Sequence, residues 1–123
     1  MVTGLITVQT DDGLVLVNCT ARTLSLQRKD GSWFQVPASG VSVHIDTEET
    51  ELPISADGVP CYRSRQTRLP TIPEPVPGTW YLVPRLVALQ YPERNDLWVP
   101  DQIQKDRQGM PMGAKRLVRL EGW

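Results

Sequence analysis

Nucleophilic catalysis needs a cysteine or serine, a base to take its proton, and a third group to orient that base. This chain of 123 residues carries one histidine, His44, with Asp46 two positions on, and two cysteines, Cys19 and Cys61. In an extended segment His44 and Asp46 share a face, and either thiol could in principle be folded toward them. The plainer reading is that any half-buried strand produces such neighbours on its wet face. Metal ligation finds less support. There is no His-x-His or Cys-x-x-Cys spacing, and Glu48, Glu49 and Glu51 read as a solvated acidic run. No Gly-x-Gly-x-x-Gly series opens a helix, so a phosphate cradle is not expected either. The expectation is therefore no catalytic residue, no metal and no cofactor.

Two polar pairs hold more interest: Asn18 with Thr20, and Arg94 with Asp96. Side chains of these types at strand ends commonly bond their own backbone. The functional alternative is a shared binding pocket formed by all four, with Trp98 as its apolar wall, since small-ligand sites combine a few convergent polar groups with apolar surface. Basic residues cluster at Arg63, Arg65 and Arg68 and again at Lys115, Arg116 and Arg119, while Trp80, Trp98 and Tyr62 could serve as stacking platforms for single strands. A net charge of −1 argues against nucleic acid as a partner.

The elements that must position these residues are short. Eleven prolines and nine glycines leave little room for long helices, and 40% hydrophobic residues with 22% charged describe a globular chain rather than a disordered one. Asp11-Asp12-Gly13 separates Leu5–Gln9 from Leu14–Asn18, and Lys29-Asp30-Gly31-Ser32 separates Thr23–Gln27 from Trp33–Val36. Asp-Gly between apolar runs signals a hairpin. Val41–Asp46 alternates apolar and polar, which predicts a strand with one wet face. Residues 47–51 read as its solvated continuation, and Val59–Arg63 as an edge strand because of Pro60.

Residues 69–78 hold four prolines, which lack the donor a ladder needs, and read as an extended connector inside a single domain spanning 1–123. Thr79–Val83 is strand-like, and Pro84 to Tyr91 predicts the one helix, apolar on two sides and stopped by Pro92. Leu97–Pro100 and Ala114–Leu120 complete the strands. The opening residues have no basic leader, and uninterrupted apolar runs such as Leu14–Val17 fall far short of the roughly 20 residues a spanning helix requires. A cytoplasmic protein with two ordinary thiols and no membrane association is the expectation.

The order of these pieces resembles a family of small proteins of unassigned role from bacteriophages, prophages and actinobacterial genomes. Typical members run through an Asn-Leu-Thr-Pro-His strand end, a Pro-Ser-Gly turn and a Gly-Leu-Pro-x-Pro connector. A Tyr-Ile-Val-Ser strand then enters a helix, followed by Pro-x-Arg-x-Asp-Leu-x-Val-Pro and a closing Gly-Cys-Arg. The corresponding text here is Asn18-Cys19-Thr20-Ala21-Arg22, Pro37-Ala38-Ser39-Gly40, Leu69-Pro70 to Pro77-Gly78 and Tyr81-Leu82-Val83-Pro84. Pro92-Glu93-Arg94-Asn95-Asp96-Leu97-Trp98-Val99-Pro100 and Gly113-Ala114-Lys115 follow. The family's Pro-His is Ala21-Arg22 here, its Ser before the helix is Pro84, and its late Cys is Ala114. What survives is mostly turn and core residues, so the resemblance implies an architecture and a phage or prophage origin, not an activity.

The fold expected is α+β: mainly antiparallel strands in a barrel-like or strongly bent sheet, with one helix over about 84–91. The expected role is a phage- or prophage-derived accessory protein that binds a host protein or a small ligand through Asn18, Thr20, Arg94, Asp96 and Trp98. The alternatives are an enzyme using the strand-end polar cluster and a minor virion or assembly component that oligomerises through a sheet edge.

Overall fold

Short apolar runs between turn residues pair into β1 (Val8–Gln9), β2 (Val15–Asn18), β3 (Leu24–Gln27) and β4 (Trp33–Val36). The computed structural model describes residues 4–68 and 70–121; Met1–Thr3 at the opening and Leu69 at the head of the connector lie outside the described residues. Two long strands follow, β5 (Asp46–Ala56) and β6 (Val59–Arg68), then β7 (Thr79–Leu82), α1 (Arg85–Leu89), β8 (Leu97–Lys105) and β9 (Pro111–Val118). Among the described residues, seven strands form one sheet in the order β1-β2-β7-β8-β9-β3-β4, while β5 and β6 pair only with each other.

The large sheet nearly closes into a barrel. At one end its outer strands are stitched together: Ser39 N–H donates to Asn18 O at 3.0 Å and Ile6 N–H to Ser39 O at 3.1 Å. Ala38 there bridges Asn18. At the other end β1 and β4 stand apart.

Hairpin pairings are antiparallel as expected (β1–β2, β3–β4, β5–β6, β8–β9), but the centre of the sheet is not. β2, β7 and β8 run parallel, and β3 meets β9 in parallel at Leu26 and Ala114. The reason is burial. Parallel strands occur where both faces are covered, and their sequences read as unbroken apolar runs. Leu16, Leu82 and Trp98 point into the barrel with Leu26, Val36, Phe34, Trp80 and Ala114. Val17, Tyr81, Leu97 and Val99 point outward into a second core, capped by Val87 and Ala88 of α1, Val43, and Ile72 of the proline-rich segment. The runs Leu14–Val17 and Leu97–Val99 carry this two-sided signal.

Three local expectations are corrected. The helix is five residues long rather than eight: Pro84 is its extended N-cap and Gln90 its C-cap. Only one side of it is buried, Val87 and Ala88, whereas Leu86 and Leu89 are exposed. With so little helix, the molecule is mostly β, and the α+β description holds only weakly. Val41–Ile45 keeps the predicted alternation, with Val43 buried and Ser42 and His44 exposed, yet belongs to no strand ladder. Val43 N–H donates to Cys19 O without any ladder around it, because alternation reports which side is wet and not whether a neighbouring strand exists. The acidic run 47–51 is solvated as expected, but it continues no strand at 41–45 and belongs instead to β5, whose ladder with β6 extends from Asp46 opposite Arg68 to Ala56 opposite Val59. Asp57 (φ 51°) and Gly58 (φ 84°) turn that hairpin, the conformation a two-residue tip with right-handed strand twist demands.

Candidate functional site

Asn18 ends β2 at the stitched end of the barrel and is fully buried. Its Nδ2 donates to Arg22 O at 2.7 Å and to Val36 O at 2.9 Å. Its Oδ1 accepts from Thr20 N–H at 2.9 Å and from the Thr20 hydroxyl at 2.6 Å. Two donors and two acceptor positions are the whole capacity of an amide side chain, so every one is occupied within the chain. The group ties β2 to the end of β4 and shapes the turn at 19–22.

Arg94 and Asp96 lie in the loop between α1 and β8. The Arg94 Nε and Nη2 reach the two Asp96 carboxylate oxygens at 2.9 and 2.8 Å, a bidentate pair. Both side chains are almost wholly buried, 13% and 12% exposed. The Asp96 carboxylate bonded to it is the main reason the Arg94 guanidinium titrates above its ordinary value. Nη2 also donates to Pro73 O at 3.0 Å. Tyr81 Oη donates to Glu74 O at 2.8 Å and Tyr91 Oη donates to Pro70 O. The prolines of this segment bring no ladder donors, but the carbonyls of Pro70, Pro73 and Glu74 are taken up by these side chains, which hold the proline-rich segment against the outer core. Burial raises the Tyr81 hydroxyl pKa, in keeping with its neutral donor role.

The two polar pairs thus sit in separate hydrogen-bond networks. Trp98 belongs to a third environment, the barrel interior, stacked on Trp80 with ring centroids 4.1 Å apart. Its Nε1 is buried without a hydrogen-bond partner among the described residues. His44 Nε2 meets Asp46 Oδ1 at 2.9 Å on the exposed side of the chain. Cys19 is buried and Cys61 half-buried, and both are free thiols. Desolvation pushes the Cys19 thiol up to about 11, so it holds its proton at neutral pH. Among the described residues no three His, Cys, Asp or Glu side chains are grouped to hold a metal ion. The second basic cluster is partly neutralised: Arg116 Nη2 meets Asp101 Oδ2 at 2.6 Å, and Arg119 Nη2 lies 3.6 Å from Glu121 Oε1. None of the described helices is long and apolar enough to cross a membrane.

A concavity of different composition lies where the barrel fails to close. It has a volume of about 520 Å³. Val8 and Gln9 of β1 form one wall and Phe34 and Gln35 of β4 the other, over Leu16, Trp80 and Leu117. The turn Thr10-Asp11-Asp12 makes one lip, where the Thr10 hydroxyl donates to Asp12 and lowers the pKa of its carboxyl. Arg28 makes the opposite lip, its guanidinium 4.4 Å from the Phe34 ring centroid. The result is an apolar, aromatic trough with a cation on one side and carboxylates on the other. None of Asn18, Thr20, Arg94, Asp96 and Trp98 lines it. Arg28, Phe34 and Trp80 each carried a local reading in sequence, as turn flank or strand residue. Their convergence depends on the open seam between the first and last strands. In comparisons with family models, characterised proteins and solved structures, none matches this chain.

Proposed function

We propose that this is an accessory protein of phage or prophage origin that acts by binding rather than catalysis, and that the open barrel seam is its binding site. The carrying observation is the trough itself: an aromatic and aliphatic floor, roomy enough for a flat apolar group, with opposite charges on its two lips. Binding sites are built this way, apolar for affinity and sparingly polar for orientation. The polar residues on which a catalytic reading would rest support the same view, because Asn18 is saturated by Thr20, Arg22 and Val36 and Arg94 is engaged with Asp96 and Pro73. A flat ligand, or an aromatic side chain of a host protein, enters between β1 and β4 and lies against Trp80 and Phe34, with an acidic substituent toward Arg28.

The probe that tests this is 1-anilinonaphthalene-8-sulfonate, an apolar anion of suitable shape. The expected result is saturable binding to the folded protein with energy transfer from tryptophan, weakened roughly tenfold by Arg28→Glu, the loss of one charge-assisted contact. Absence of saturable binding, or binding unchanged in Arg28→Glu, overturns the assignment.

A further inference from the structure

The hairpin of β5 and β6 stands apart from the barrel. Among the described residues, neither core includes any between 46 and 68. Ile54, Val59 and Tyr62 are 63%, 59% and 58% exposed. Two paired strands of 11 and 10 residues are marginal in water when nothing packs on them, and among the described residues both outer edges of this ribbon lack a neighbouring strand.

Its charges are sorted by strand. β5 carries Asp46, Glu48, Glu49 and Glu51 and no basic residue; β6 carries Arg63, Arg65 and Arg68 and no acidic one. Among the described residues Glu48, Glu49, Glu51, Arg63 and Arg65 make no ion pair within the chain. Charged side chains of either sign would blunt a strand edge against aggregation. Segregation sets Glu48 opposite Arg65 within the ribbon, and it also makes the two outer edges of one ribbon complementary to each other.

We infer that the ribbon docks onto a second copy of this chain, the basic β6 edge of one molecule alongside the acidic β5 edge of the next. A two-fold dimer would set β5 against β5 or β6 against β6, placing like charges opposite one another, which destabilises a strand pair. The head-to-tail arrangement continues the antiparallel alternation with all tips on one side. Such contacts propagate into a ring or an open filament rather than stopping at two copies. Pro53 and Pro60 lack backbone donors, so pairing is confined to the basal half of the ribbon, where the charges sit. This surface is separate from the barrel seam, and the proposal does not depend on the ligand bound there.

The test is size-exclusion chromatography with light scattering on the full chain, from micromolar to millimolar concentration. The wild type is expected to exceed twice its monomer mass of 13.8 kDa, and to dissociate at about 1 M salt, where the screening length falls to roughly 3 Å. Arg63→Glu with Arg65→Glu makes both strands acidic, and Glu48→Lys, Glu49→Lys with Glu51→Lys makes both basic. Each variant alone is expected to be monomeric, and an equimolar mixture to reassociate, a result that misfolding of either variant would not yield. A wild type that stays monomeric throughout, a variant that assembles unimpaired, or a mixture that fails to associate overturns the inference.

Discussion

Replacing Asn18 by Asp changes the charge and hydrogen-bonding of a fully buried side chain without changing its size, so no cavity complicates the outcome. The amide nitrogen now donates to Arg22 O at 2.7 Å and Val36 O at 2.9 Å. In Asn18→Asp a carboxylate oxygen faces both carbonyls. Two net hydrogen bonds of about 1 kcal/mol each are lost. Removing an ionised carboxylate from water adds several kcal/mol more, only partly offset by the Thr20 donors. The sum near neutral pH is about 5 kcal/mol or more, comparable with the whole stability of a small domain, roughly 5–15 kcal/mol.

Protonation abolishes the charge and restores one donor, leaving a deficit of about 1–3 kcal/mol. The folded-state pKa of this carboxyl must therefore lie above its unfolded value of about 3.9. The folded form then holds the proton more tightly, so the deficit is smallest below about pH 4 and grows as pH rises, levelling off above the folded pKa. Urea unfolding of wild type and Asn18→Asp, followed by tryptophan fluorescence across this range, isolates residue 18 as the difference between the two curves. A deficit under about 1 kcal/mol near neutrality, or one indifferent to pH, would refute the view of Asn18 as the latch of the stitched barrel end.

Arg94→Ala strands a nearly buried carboxylate and frees the Pro73 carbonyl, so a loss of about 3 kcal/mol is expected, and the double change Arg94→Ala with Asp96→Ala should be milder than the single one; urea midpoints decide. Gly113→Ala should cost about 1–3 kcal/mol, because its Cβ would meet Ser25 O at 2.6 Å and the Trp33 ring at 2.8 Å. Trimming Trp33 to Ala is not expected to rescue it, since the closer atom is backbone, and thermal melts of the single and double variants test this. A thiol reagent near neutral pH should label half-buried Cys61 promptly and Cys19 only after denaturation, given its thiol pushed up to about 11. Mass spectrometry of the labelled peptides reads both sites.

Much of the architecture is legible in local chemistry. Asp-Gly tips, strand-forming runs and the helix entry at Pro84 each depend on a few neighbouring residues, and they place most of the strands close to where they form. The parallel centre was also written in the chain, in the unbroken runs around Val15–Val17 and Leu97–Val99, but its meaning requires knowing that both faces will be covered. Alternation at Val41–Ile45 marked the buried side correctly and could not supply a partner strand. The β5–β6 hairpin shows the reverse: the solvated run 47–51 has no apolar face to mark it, yet β6 supplies the ladder.

The polar pairs illustrate the same division at the level of single residues. Their types and positions, at strand ends and a tight loop, follow from sequence; which backbone groups they would satisfy does not, since Val36 lies 18 residues from Asn18 and Pro73 lies 21 from Arg94. Turn propensity, charge and hydrophobic pattern act over a few residues, and to that distance the sequence by itself determines this protein. Only the tertiary structure decides that the first and last strands of the sheet part at one end, bringing Arg28, Phe34 and Trp80 around a single trough. Closure is a property of the whole sheet, set by strand order and register together, and no local preference encodes it.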